Sequence, residues 1–161
     1  MLFRLLVVIF FGLLVFGIVY LAAGSVEGVR QSIPFYQAEC APRPCASPQG
    51  FEADISNVQV ASGAVTMDIT LRNKTTKTIL EAASYRHTSP ADFQLNGTDG
   101  VDRSPISRLD CPDWGEVRVP RGGTAGPYKL CFDPPRQGLQ GAVVLWNPDV
   151  GLFTHRVSIH L

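Results

Sequence analysis

The chain has 161 residues, 45 % of them hydrophobic, and its 14 lysines and arginines balance 14 aspartates and glutamates to a formal net charge of zero. That length holds one domain and an appendage. A neutral chain with no basic run offers no track for a phosphate backbone, which excludes nucleic acid as the partner.

Residues 5–24, LLVVIFFGLLVFGIVYLAAG, carry no charge, and Arg4 is the last charged residue before Glu27. Twenty helical residues rise roughly 30 Å, the thickness of a bilayer's hydrocarbon core, so a retained transmembrane signal-anchor helix is expected here. A cleaved secretory signal is the competing reading, with Ala22 and Gly24 as its small residues, but the apolar region of such a signal usually runs only about 7 to 15 residues. LAAGS has the form of a lipoprotein signal box with Ser25 where the acylated cysteine would stand, so lipidation is excluded. The amino terminus and Arg4 on the short side, against Glu27 and Arg30 on the long side, keep residues 1–4 in the cytoplasm. The expectation is a single-pass cell-membrane protein with its C-terminal domain extracytoplasmic. Gly12 and Gly17 are five apart and miss the small-x-x-x-small spacing of a packing motif, so the helix reads as a simple anchor.

Residues 25–50 carry Pro34, Pro42, Pro44 and Pro48, a spacing that forbids a continuous helix and favours an extended, stiff connector. All four cysteines, Cys40, Cys45, Cys111 and Cys131, follow the apolar segment. An even count in an oxidising compartment reads as two disulfides, with three pairings open. The short separation of Cys40 and Cys45 around APRP favours a local staple, which leaves Cys111 to Cys131. Thiol-disulfide exchangers place two residues between their cysteines at a helix start, so CAPRPC reads as structural.

From Phe51 onward the pattern is short alternating runs bounded by turn residues, the signal of an all-β domain over 51–161. FEADISNVQV places Ile55, Val58 and Val60 as apolar positions with a bulge-like irregularity between 55 and 58. In AVTMDITLRN, Val65, Met67, Ile69 and Leu71 share one face and Thr66, Asp68, Thr70 and Arg72 the other, the clearest half-buried strand. TKTILEAASY, ADFQLNGTDG, WGEVRVP, PYKLCFD, AVVLWN and FTHRVSIHL supply further strands, the last with Phe153, His155, Val157, Ile159 and Leu161 on one side. Seven or eight strands with turns every eight to twelve residues predict a two-sheet sandwich.

Asn73 closing the second strand, Asp92 with Asp99 and Gly100 in a strand and turn, and Pro120 and Gly122 before a strand carrying Phe132 and Pro134 form a pattern over roughly 51–161. It resembles the bacterial extracytoplasmic immunoglobulin-like domains of unknown function, which are similar in fold to a secreted mycobacterial immunoprotective antigen. The resemblance implies an immunoglobulin-like sandwich on a lipoprotein or surface protein and no common activity. This chain departs from it in having an anchor in place of a lipid-modified cysteine.

Candidate chemistry is sparse. In VPRGGTAGPYKLCFDPP the glycines are followed by a strand and not by the helix a phosphate loop needs, so a hairpin turn is expected. Cys131 has no neighbouring base as a nucleophile would, and His87, His155 and His160 are scattered. Asp92, Asn96, Asp99 and Asp102 do not match the twelve-residue calcium loop and read as a solvated turn. Asn73-Lys-Thr75 and Asn96-Gly-Thr98 are formal glycosylation sequons that matter only in a eukaryotic secretory pathway. Trp114 and Trp146 are partner-contact candidates, with the core as the alternative for both; Trp146 lies on the face opposite Val143 and Leu145. No catalytic residue, metal or cofactor is expected. The function expected is that of a non-catalytic accessory or assembly subunit docking onto other membrane or cell-envelope proteins, with a small-ligand or lipid carrier as the alternative.

Overall fold

The computed structural model describes residues 2–33, 35–76, 85–150 and 156–161. Helix α1, Leu2–Ala23, has apolar residues on every side and buries almost nothing against the rest of the chain. A helix apolar all round suits a lipid environment, and Arg4–Ala23 is long and apolar enough to cross a membrane. The helix stops at Gly24, whose positive φ of 72° turns the chain while its N–H donates to the Tyr20 carbonyl at 2.9 Å.

The expected extended connector does not begin at residue 25: its first residues are helical. Ser25 accepts a hydrogen bond from the Gly28 N–H at 2.9 Å and caps a second helix, α2, Val26–Gln31. Six residues cannot hold a helix alone in water; contacts fix it at both ends. A Cβ on Gly28 would collide with the Ala23 carbonyl and stand 3.1 Å from Thr76 Oγ1, so α2 is pressed between the end of α1 and the β domain. Gln31 bridges to the domain, accepting from the Thr76 N–H at 2.8 Å and donating to the Lys74 carbonyl at 3.3 Å. Further on, strand β1, Cys45–Ala46, adds to a sheet edge.

Among the described residues the strands form three antiparallel sheets. The first has the order β1–β2–β3–β8, with β2 at Phe51–Ala61, β3 at Ala64–Asn73 and β8 at Thr124–Phe132. The second is β10–β9–β5–β6, from Val157–His160, Val143–Trp146, Phe93–Asn96 and Asp102–Arg103. Strands β4, Tyr85–Thr88, and β7, Val117–Pro120, form a third pair. The expected irregularity in β2 is a register shift between Ser56 and Gln59, and Val65, Met67, Ile69 and Leu71 of β3 are all buried. Of the strand expected at TKTILEAASY, residues 77–84 lie outside the described residues, as do Phe153 and His155 of the last one.

The sheets close on an aromatic centre. Trp146 of β9 is fully buried, stacked on Phe93 at 5.6 Å and 6° and tilted against Phe51 at 5.1 Å. Its indole N–H donates to Thr88 Oγ1 at 3.1 Å, satisfying the polar end of an otherwise apolar ring.

The glycine turn after Pro120 is not a hairpin. Strand β7 pairs with β4 and β8 pairs with β3, so the turn is a corner between sheets. Asn73 pins it: the Gly122 N–H donates to the Asn73 carbonyl at 2.7 Å, the Asn73 N–H to the Gly123 carbonyl at 3.0 Å, and its side-chain amide to the Val119 carbonyl at 2.9 Å. Gly126 lies inside β8, where the register shifts between Ile69 and Leu71 and any Cβ would meet the Ile69 carbonyl oxygen at 2.6 Å.

Candidate interaction surface

The β2–β3 ladder gives the domain a near and a far end. The start of β2 and the end of β3 stand beside α2, where the Lys74 N–H donates to the Gly50 carbonyl at 2.8 Å. Eleven strand residues extend about 35 Å, so the Ser62–Gly63 turn is at the opposite end.

Charges cluster at the near end. Glu52 is fully buried, accepting from Arg72 Nη1 at 2.8 Å and Lys74 Nζ at 2.6 Å, and Arg72 also bonds Asp54. The carboxylates, Glu52 first, hold the Arg72 guanidinium above its ordinary pKa. A buried carboxylate with two cations is satisfied as it stands, so the cluster reads as a clamp on the first sheet.

At the far end, the loop between β6 and β7 is held down at several points. Cys111 and Cys131 stand at disulfide distance with their Cα atoms 6.1 Å apart, as do Cys40 and Cys45, which is the expected pairing. The Ile106 N–H donates to the Cys131 carbonyl at 2.8 Å, Arg108 and Cys111 exchange backbone bonds at 3.1 and 3.0 Å, and Arg108 Nη1 reaches the Ser62 carbonyl at 3.3 Å. At the tip of this braced loop Leu109 is fully exposed. Singly exposed leucines are ordinary on protein surfaces; this one is presented by backbone pairing and a cross-link. Nearby, a cleft of about 70 Å³ runs between Ile106, Pro112, Trp114 and the Cys111–Cys131 pair.

The two tryptophans separate. Trp146 belongs to the core, so the face opposite Val143 and Leu145 is the buried one. Trp114 is half-buried, stacked on Tyr128 at 4.8 Å and 23° and edge-on to Phe93 at 6.4 Å, with Nε1 buried and without a hydrogen-bond partner among the described residues. It lines the same cleft as Ser107 and Cys111 of the Leu109 loop.

The remaining polar groups are dispersed. His87 Nε2 stands 3.2 Å from Asp149 Oδ2 on the rim of an open groove of about 380 Å³ that also includes Thr88, Ser89, Asp92 and Glu116. The Thr88 and Ser89 hydroxyls donate to Asp92, at 2.9 and 3.2 Å, and not to His87. Asp99 pairs with Arg103 at 2.6 Å, and that hydrogen bond lowers the Asp99 pKa to about 2. Asp102 accepts from Asn96 at 2.6 Å, so the carboxylates of the expected solvated turn are tied up separately. Among the described residues no group of three or more His, Cys, Asp or Glu is placed to hold a metal ion. Asn73 of the first sequon is buried and bonded. His160 is exposed on β10, and His155 lies outside the described residues.

No protein-family model matches the chain, and no curated protein matches it. Among solved structures, the crystal structure of the YjhA protein from Bacillus subtilis is similar, at a TM-score of 0.49 and 10 % identity, covering 68 % of this chain and 91 % of that one.

Proposed function

We propose that the chain is a non-catalytic, membrane-anchored extracytoplasmic protein whose immunoglobulin-like domain docks onto other membrane or cell-envelope proteins as an accessory or assembly subunit. The observation carrying this reading is Leu109: an exposed apolar side chain on a cross-linked loop at the end of the domain remote from α1. Pre-organised loops lose little entropy on binding, and an apolar anchor on such a loop is the form an interface centre takes. A cysteine pair at disulfide distance agrees with an oxidising compartment.

A photo-crosslinking amino acid placed at Leu109 of the full chain in native membranes tests it. Discrete protein adducts are expected at 109 and not at Ser158, an exposed position on β10; equal or absent labelling at both removes the docking role from this loop. The second reading, a carrier of small ligands or lipids, has on its side the open groove around His87 and Asp149, whose volume of about 380 Å³ falls in the range of ligand pockets. Native mass spectrometry of the chain purified from its host separates the two by the presence of a co-purifying small molecule.

A further inference from the structure

We infer that Val26, Ile33 and Phe35 form a second, interfacial membrane contact, so that the near end of the domain rests on the bilayer surface beside α1. The inference rests on the reading of α1 as a membrane span. Three large apolar side chains follow that span within twelve residues, with exposures of 55 %, 51 % and 70 %.

Their position follows from the hydrogen bonds. Gly28 of α2 abuts the Ala23 carbonyl, the last residue of α1. After α2 the chain does not leave: Ser32 Oγ donates to the Gly28 carbonyl at 2.7 Å, the Ile33 N–H to Arg30 at 3.0 Å and the Tyr36 N–H to Ile33 at 3.2 Å. Tyr36 Oη then donates back to Glu27 Oε1 at 3.2 Å, closing 27–36 into a knot. Helix α2 is only about 9 Å long, and the headgroup layer is roughly 5 to 8 Å deep on each side of the hydrocarbon. A knot tied to the last residue of the span therefore lies at headgroup depth.

The polar groups of the knot are used in a way that suits this. Glu27 is occupied by Gln31, Tyr36 and Arg30, while Gln31 faces the domain through Lys74 and Thr76. Exposed apolar side chains on a segment whose polar groups are engaged within the chain suit an interfacial segment.

The test uses the full chain in phosphatidylcholine vesicles whose lipids are brominated near the ester end of the acyl chains. Four single variants are compared, Val26→Trp, Ile33→Trp, Phe35→Trp and Ile9→Trp, with emission of the wild-type chain, from Trp114 and Trp146, subtracted. The expected result is loss of the added emission at 26, 33 and 35 in brominated vesicles, with protection from aqueous acrylamide. If Ile9→Trp is quenched while the other three are open to acrylamide and unquenched, the interfacial contact is wrong and the anchor stands. If Ile9→Trp is itself unquenched, the anchor falls and takes the contact with it. Should the tryptophans perturb the knot, the wild-type chain separates the same outcomes: a headgroup spin-labelled lipid should broaden the methyl signals of Val26 and Ile33 and leave that of buried Ile159 sharp. Sharp signals at all three positions would overturn the contact.

Discussion

The two ends of the β domain are built on opposite plans. At the near end, polar groups point inward: Glu52 disappears between Arg72 and Lys74, Gln31 stitches α2 to Lys74 and Thr76, and the side chains left outside include Val26, Ile33 and Phe35. At the far end the Arg108–Asp110 ion pair lies at the surface, the cross-link is within the sheet and loop, and Leu109 stands fully exposed. The near end uses its polar groups to hold the domain together beside α1. The far end uses covalent and backbone ties to hold a shape outward.

The near end rests most on Glu52. Glu52→Ala removes two charge-assisted hydrogen bonds from a fully buried position, with Arg72 keeping Asp54, and should destabilise the chain by about 3 kcal/mol, read by chemical denaturation in detergent micelles. A loss below about 0.5 kcal/mol would show that the clamp is ornamental.

The two cross-links close loops of different length. Replacing Cys111 and Cys131 by serine opens a loop with a sequence separation of 20, against 5 for Cys40 and Cys45. Loop closure entropy puts the losses at about 3 and about 2 kcal/mol, and thermal melts of the two double variants should rank in that order.

Leu109→Ser should change stability by no more than about 0.5 kcal/mol, while removing whatever binds through that loop. A melt and a partner-binding assay on the same variant give both readings, and a large drop in melting temperature would mean Leu109 is structural after all.

The smallest effect is acidic. Asp99, at the far end, has its pKa lowered to about 2 by the hydrogen bond from Arg103. A depressed carboxylate stabilises the fold above its unfolded pKa of about 3.9, and that contribution disappears as pH falls through about 2. Carboxylate carbon shifts followed by NMR should show Asp99 titrating below the ordinary aspartate range, and Arg103→Gln should raise it.

How much was legible in the sequence depended on whether a pattern had one interpretation. The uncharged run before Glu27 admits little but a helix, and the strict alternation of β3 names its buried face residue by residue. VVLW is apolar at every position, so alternation cannot say which face is core, and Trp146 went inside because Phe93 and Phe51 meet it there. Helix α2 has six residues and a central glycine; it exists because Gly28 lets it touch Ala23, a tertiary contact that no local pattern announces. The turn glycines suit a hairpin and a sheet-to-sheet corner equally, and only the bonds from Asn73 decide. At the candidate surface, the pairing of the cysteines was readable from their spacing, but the exposure of Leu109 was not, since it depends on Arg108 reaching across to Ser62.

The missing side chain of Gly28 is what lets the two parts of the chain meet. Any larger residue at 28 would have to push α2 off the Ala23 carbonyl or off Thr76, so one methyl group is enough to unseat the domain from the end of α1.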